Sequence, residues 1–161
     1  MTTPRLANAF RFRVTFIVSA DADPAAPPLG TGGFAECTGL DVEMEVGEYA
    51  EGGRNDAVVQ RAGRAKYSRL VLKRGMLHSP AGRVEPELWR WFADTVAGVR
   101  PIRRYDVLVE VLDERRETVA SWKALRALTA KLVGPQLNAR TGEVAMEELQ
   151  LAHEGLRMVL A

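Results

Sequence analysis

The chain has 161 residues, of which 47% are hydrophobic and 27% are charged, and its 22 Lys and Arg residues nearly balance its 21 Asp and Glu residues. A formal net charge of +1 argues against the basic surface of a dedicated nucleic-acid-binding protein. The single cysteine, Cys37, excludes an internal disulfide and favours a reducing compartment. The length fits one domain, which we expect to span residues 1–161.

The sequence contains no apolar signal core near its start. No run approaches the ~18 apolar residues that a membrane-spanning helix needs. We therefore expect a protein that is made and kept inside the cell and is not embedded in a membrane by itself.

The first predicted element is a strand over residues 10–18. Apolar residues occupy every second position there, which is the period of a strand with one buried face: Phe10, Phe12, Val14, Phe16 and Val18. Residues 20–33 are rich in Pro, Gly and Ala and lack any period, which predicts a surface loop. Residues 34–40 then lead into the next strand.

Residues 40–75 predict two long strands joined by a glycine turn. Val42, Met44 and Val46 alternate with acidic residues, which is typical of a half-buried strand. The pair Gly52 and Gly53, followed by Asn and Asp, allows the chain to reverse. The returning strand is predicted to end at residues 70–72.

The two limbs of this hairpin carry opposite charge. The outgoing limb and turn contain Asp41, Glu43, Glu45, Glu48, Glu51, Gly52 and Gly53, and the returning limb contains Arg54, Arg61, Arg64, Lys66, Arg69, Lys73 and Arg74. One interpretation is local pairing across a solvated hairpin, with ~0.2–1 kcal/mol per pair. The other starts from the inability of a long two-stranded ribbon to bury both of its faces, and predicts packing on another subunit.

A helix is predicted after residue 86. Pro86 suits the first helical position, and Gly98 followed by Pro101 ends the run. The apolar stripe has helical spacing and indicates a core-facing seam that closes one end of a β core: Leu88, Trp91, Phe92, Thr95 and Val96, with Trp89 on the flank.

A second hairpin is predicted after the helix. Residues 105–112 alternate with Tyr105, Val107, Val109 and Val111 on one face, residues 113–117 form a polar turn, and residues 119–125 return. Residues 143–153 are ambiguous. Their composition favours a helix, whereas a strand requires a phase slip such as a β-bulge.

The sequence carries no recognisable catalytic motif. A P-loop, a nucleophile elbow and a dinucleotide-binding glycine motif are all missing. His78 and His153 are far apart without ligand-type neighbours, which favours structural or exposed roles. Glu43 and Glu45 could serve acid–base chemistry in principle, but on a regular strand they look like a charged face. We expect no cofactor, no metal and no enzymatic activity.

Several segments, in order over nearly the whole chain, together resemble the contractile-phage tail-tube family. They are F-R-F-R-V at 10–14, G-F-x-E-x-T-G-L at 33–40, E-Y-x-E-G-G-x-N-D at 48–56, G-R-x-K-Y-x-x-L-x-L-K-R-G at 63–75, L-W-x-W at 88–91, G-P-x-L-N-A at 134–139 and E-V-A-x-E-x-L-x-L-A-H-E-G-L at 143–156. The family comprises inner-tube subunits of phage tails and of phage-tail-like injection systems. Its fold is similar to the haemolysin-coregulated protein of type VI secretion.

The resemblance implies a mainly β fold, an antiparallel sandwich or barrel with one flanking helix and a long extended hairpin. It also implies that residues 143–153 form a strand. The implied function is that of a structural tube subunit: homohexameric rings stack around a hollow lumen that passes DNA or a protein effector. The implied partners are further copies of the chain, a sheath protein and baseplate or spike components. Assembly is expected in the cytoplasm, before incorporation into the particle.

On this reading the hairpin reaches neighbouring subunits. The expected interface residues are Asp41, Glu43, Glu45, Glu48, Glu51, Gly52, Gly53, Arg54, Arg61, Arg64 and Lys66. Residues 20–33 and 76–85 look longer than the family pattern. The other functions in view are a tube initiator or baseplate adaptor of the same family and, from a different class, a small-ligand-binding β-barrel or an enzyme.

Overall fold

The computed structural model describes residues 11–159 other than 21, 23, 28, 30–32, 54, 77–81 and 83–85. In chain order the elements are β1 (Phe12–Val18), β2 (Glu36–Thr38), β3 (Val42–Tyr49), β4 (Val59–Tyr67), β5 (Leu70–Gly75), α1 (Glu87–Val96), β6 (Tyr105–Leu112), β7 (Thr118–Val133), β8 (Met146–Ala152) and β9 (Gly155–Val159). Phe10 and His78, both named in the sequence predictions, lie outside the described residues.

The strands of the body are antiparallel and follow the order β1-β6-β7-β8-β5-β2, with β9 also paired to β7. The first part of β7 pairs with β6 and β9, and its last part pairs with β8. One long strand thus contributes to both layers of a sandwich. The predicted mainly β fold with one helix is confirmed, although no pairing among the described strands joins β1 to β2 to close a barrel.

The core lies where these layers meet the helix. Trp91 packs edge-on against Tyr105 with ring centroids 4.9 Å apart and against Phe16 at 6.2 Å. The Trp91 indole also donates a 3.0 Å hydrogen bond to the Arg103 carbonyl. Four inward-facing leucines, two from β5 and two from β8, are buried in the same core: Leu70, Leu72, Leu149 and Leu151.

The bend in β7 is fixed by a polar contact. Arg126 has φ of 49° at the point where β7 passes from one layer to the other. The Asp106 carboxylate accepts hydrogen bonds from the Arg126 N–H at 3.0 Å and from the Ser19 hydroxyl at 2.8 Å. Asp106 thereby holds β1, β6 and β7 together at the bend in β7.

The loop over residues 20–33 differs in part from the predicted surface loop. Ala26 and Leu29 are buried members of the core, and the Tyr105 hydroxyl donates a 2.8 Å hydrogen bond to the Pro27 carbonyl. The prediction was incomplete because Ala and Leu in an aperiodic segment give no signal that distinguishes a covering loop from a free one.

The helix begins at Glu87 and ends at Val96, close to the predicted bounds, with Gly98 at φ of 71° just beyond it. Leu88 and Trp91 are buried as predicted. The assignment of Val96 to the buried stripe was wrong, because its side chain is 71% exposed. The stripe turns away from the core over the last helical turn.

Residues 146–152 form β8, so the strand alternative is the right one for the ambiguous segment. The expected phase slip does not lie in this strand: Glu147, Leu149 and Leu151 face inward in regular alternation. The register shift lies on β7, between Thr129 and Lys131. The apolar residues before Glu147 are therefore on the outer face, which the sequence prediction did not anticipate.

Candidate subunit interface

The hairpin formed by β3 and β4, here called the arm, is a separate two-stranded sheet. All residues of β3 are exposed, and β4 has only Val59 partly covered. The prediction of a half-buried strand is therefore wrong within one chain. The returning limb also stops at Tyr67, and β5 belongs to the body, where it pairs with β2 and β8.

Pairing across the arm sorts its residues onto two faces. Val42 lies opposite Tyr67, Met44 opposite Ala65 and Val46 opposite Ala62, and these six residues form the apolar face of the arm. Val42 is 61% exposed and Val46 is 54% exposed. Exposed apolar surfaces of this kind on soluble proteins mark sites of interaction with other proteins.

The other side, here called the charged face, carries Glu43 opposite Lys66 and Gly47 opposite Arg61. Glu45 Oε1 and Lys66 Nζ are 2.5 Å apart, and the Arg61 guanidinium lies over the Tyr49 ring at 4.5 Å from its centroid. Contacts this exposed contribute about 0–1 kcal/mol each. These contacts orient the side chains, but they are too weak to account for the stability of the arm in an isolated chain.

The remaining predicted interface residues that the structure describes are also exposed. Asp41, Glu43, Glu48 and Arg64 make no ion pair with any residue that the structure describes, Glu51, Gly52 and Gly53 lie at the turn, and Arg54 is outside the described residues. Local pairing therefore involves only part of the charge on the two limbs. Arg74, which sequence reasoning placed on the basic limb, lies in the body instead.

A bulge shapes the arm near its middle. The register shifts between Met44 and Val46, so that β4 contributes one residue more than β3. A Cβ atom at Gly63 would lie 2.4 Å from the Glu45 carbonyl oxygen, so only glycine fits this approach. The bulge increases the local twist of the arm.

The root of the arm is fixed to the body. Gly39 has φ of 89°, and a Cβ atom there would lie 1.9 Å from the Arg69 carbonyl oxygen, which makes glycine obligatory. His153 contacts Tyr67 with ring centroids 5.5 Å apart, and its ring nitrogens lie within hydrogen-bond distance of the carbonyls of Gly155 and Ser68. These contacts support the structural role predicted for His153.

On the inward face of the sheet, a buried ion pair joins β5 to β8. Arg74 Nε lies 2.6 Å from Glu147 Oε1, and the side chains are only 8% and 3% exposed. Glu147 Oε2 accepts a 3.2 Å hydrogen bond from the Trp89 indole, and the Arg74 guanidinium lies over the Phe34 ring at 5.6 Å. Sequence reasoning missed this cluster; its only signal was an acidic residue at an inward position of β8.

The described part of the chain offers little for catalysis. No group of three His, Cys, Asp or Glu residues there could hold a metal ion. Burial raises the pKa of the Cys37 thiol to about 11, which leaves little reactive thiolate at neutral pH. No described helix has the length and apolar character required to cross a membrane.

Comparison with known proteins gives the family. The chain is similar to one in a structure titled as the anti-feeding prophage (AFP) baseplate, 6-fold symmetrised, with 25% identity over 99% of this chain and 97% of that chain and a TM-score of 0.76. A chain of the PVC extracellular contractile injection system sheath-tube complex in the extended state is 18% identical over 97% and 93%, also with a TM-score of 0.76.

The fold is also similar to Hcp1 from Flavobacterium johnsoniae, with 15% identity over 91% of this chain and 93% of that chain and a TM-score of 0.51. No match was found among curated protein sequences. The model of the family described as T4-like virus tail tube protein gp19 matches residues 8–157. That match covers almost the whole chain, which therefore belongs to this tail-tube family.

Proposed function

We propose that this chain is a structural subunit of the inner tube of a contractile tail or injection system, in which hexameric rings stack around a hollow lumen. The observation that carries the proposal is the arm, a hairpin whose apolar face is exposed. A two-stranded hairpin is at best marginally stable in water by itself. Burial of its apolar face against another subunit supplies the missing stabilisation.

The arm also supplies the proposed interface residues. Its limbs carry opposite charge, and a ring brings the same surfaces together at every contact, so complementary potentials act repeatedly. The proposed interface comprises Asp41, Glu43, Glu45, Glu48, Glu51, Gly52, Gly53, Arg54, Arg61, Arg64 and Lys66. The structural neighbour described as 6-fold symmetrised supports six as the number of copies.

The remaining assignments follow from this role. A sheath surrounds the tube, baseplate or spike components cap one end, and DNA or a protein effector passes through the lumen. The subunit performs no catalysis, is a single domain and assembles in the cytoplasm before the particle acts elsewhere. The structural neighbours from a sheath-tube complex and from a baseplate support the sheath and the baseplate as partners.

A second role within the family is tube initiation or adaptation to the baseplate. It is supported by the similarity at 25% identity to a chain in a baseplate structure. The two roles differ in copy number, because a main tube subunit is present in many rings and an adaptor in one or a few. Quantitative mass spectrometry of purified particles against the sheath protein distinguishes them.

The test of the function is assembly of the purified protein, followed by native mass spectrometry and negative-stain electron microscopy. We expect hexamers and rings or tubes from the wild type. The double variant Arg61→Glu and Arg64→Glu folds but assembles at least about tenfold less, because like charges meet at each interface. The added changes Glu43→Lys and Glu45→Lys partly restore assembly.

Circular dichroism of each variant provides the control for folding. Wild type that stays monomeric at high concentration and low salt contradicts the ring proposal. Normal tubes from the double variant at low salt, where charges are screened least, contradict the role of the arm charges.

A further inference from the structure

A second exposed apolar surface lies on the body, and it is here called the distal patch. It consists of Val133 at the end of β7, Met146 at the start of β8, and Val144 just before β8, and the segment between the two strands also exposes Leu137. Leu137 is 86% exposed and Val144 is 72% exposed. Like the apolar face of the arm, the distal patch is mainly aliphatic.

Residues of the distal patch lie next to well-packed residues of the body. Val144 Cγ1 lies 3.3 Å from the position that a Cβ atom would take at Gly75, so the absence of a side chain there makes room for Val144. The neighbouring residues in sequence, Arg74 and Glu147, form the buried ion pair. The rigid core therefore positions Val144 and Met146 for contact with a partner.

The root of the arm and the distal patch lie at opposite ends of strand β5. β5 follows the arm after two residues, and its first residue, Leu70, pairs with Leu151. The last residue of β5, Gly75, pairs with Met146 in the distal patch. Five residue steps along a strand separate these ends by about 17 Å. A protein that exposes complementary surfaces at opposite ends can associate head to tail, which is how rings are built.

The outer charges on the two surfaces also match. Glu48 continues the apolar face beyond Val46, and Lys131 shares the outer face of the body with Val133, as their partners Gln150 and Glu148 show. Both side chains are exposed, and neither forms an ion pair with a residue in the described ranges. The apolar row on the arm thus ends in the negative Glu48, and the apolar row on the body ends beside the positive Lys131; Glu148, opposite Val133, already has a cationic neighbour in Lys73, 4.0 Å away.

We propose that the apolar face of the arm of one copy packs on the distal patch of the next copy, with Glu48 placed against Lys131. This proposal rests on the proposed ring and names the surface that receives the arm. The arm is about 26 Å long and about 10 Å wide. One such face is smaller than the ~800 Å² per partner of a standard interface. The contact therefore depends on closure of the ring and on further contacts around it.

The test is cross-linking of assembled material with a short bismaleimide. The variant Val46→Cys/Val144→Cys is compared with Val46→Cys/Val96→Cys, because Val96 is equally exposed, at 71%, but lies on α1 outside the distal patch. The wild type controls for Cys37, whose thiol is largely buried. We expect a ladder of covalent species extending to the hexamer from the first variant only.

Charge exchange gives an independent readout on the same cross-link. Glu48→Lys and Lys131→Glu each reduce the cross-linked fraction about fivefold, and the two changes together restore it. Rings with equal cross-linking in both cysteine variants overturn this docking site and leave the proposed function intact. If each single charge change lowers the cross-linked fraction and the double change does not restore it, the Glu48–Lys131 contact is overturned. Absence of rings from the wild type overturns the docking site and the proposed function together.

Discussion

The arm and the body each contain an ion pair with nearly the same separation, but the two pairs have different surroundings. Glu45 and Lys66 on the arm are 2.5 Å apart with side chains 52% and 64% exposed, whereas Glu147 and Arg74 in the body are 2.6 Å apart and 3% and 8% exposed. Water screens the first pair and not the second. Buried contacts within its own chain stabilise the body, whereas the contacts within the arm are exposed, so that in the proposed ring a second copy supplies the stabilisation that the arm lacks.

The largest expected difference in the free energy of unfolding is between the loss of a buried apolar side chain in the body and the loss of an exposed one on the arm. Trp91→Ala removes a side chain that is 1% exposed and packs edge-on against two rings, and we expect the free energy of unfolding to fall by about 3–5 kcal/mol. Met44→Ala on the arm changes it by less than about 0.5 kcal/mol in the monomer. Urea denaturation monitored by circular dichroism measures both. Equal losses would show that the arm is packed within its own chain.

A second experiment compares the ion pairs directly. Glu147→Ala leaves the Arg74 charge buried and removes the acceptor of the Trp89 indole, so the free energy of unfolding should fall by about 3 kcal/mol. Lys66→Ala is the matched change on the arm and should cost about 0–1 kcal/mol. Thermal unfolding at low protein concentration measures both variants. A loss from Lys66→Ala as large as that from Glu147→Ala would remove the distinction between the two pairs.

The smallest effect on stability is expected at Asp106, whose side chain is partly buried. Burial by itself raises the pKa of Asp106, but hydrogen bonds from the Arg126 N–H, Ser19 and Lys123, together with the Lys123 charge, hold the pKa below its ordinary value of 3.8. A lowered pKa in the folded state means that this stabilisation is present above about pH 4 and is lost as the pH falls further.

Asp106→Asn keeps the oxygen that accepts from Ser19 but cannot titrate. We expect the wild type to be the more stable protein at neutral pH and the difference to shrink as the pH falls below about 4. Denaturation curves at a series of pH values measure this trend. A difference that stays constant down to strongly acid pH would show that the carboxylate charge has no role.

Strand periodicity predicted the elements whose inner and outer residues differ. In β6, Tyr105, Val107 and Val109 face the core as the alternation indicates. The same alternation in β3 led to the wrong conclusion of a half-buried strand, since a period of two reports that one face is apolar and not which molecule covers it. Within this chain every residue of β3 is exposed.

Other failures came from long-range contacts. The buried ion pair was not predicted, because carboxylates are rarely buried without a partner and the partner of Glu147, Arg74, is remote in sequence. The strand β2 is short, and β9 follows a tight turn from β8, so neither has a pattern of its own. The proposed interface residues were named from charge and resemblance, and the alternation of Val42, Met44 and Val46 predicted an apolar row. Only the pairing registers add the β4 residues of the apolar face.

The long strand β7 has a mechanical consequence for the proposed tube. Because it pairs with β6 and β9 in one layer and with β8 in the other, a load on either layer passes into the other along a single covalent backbone. The layers cannot slide apart without rupture of hydrogen bonds along the strand, which act in parallel when pulled in shear. In the proposed tube, β7 therefore carries an axial load from one layer of each subunit to the other.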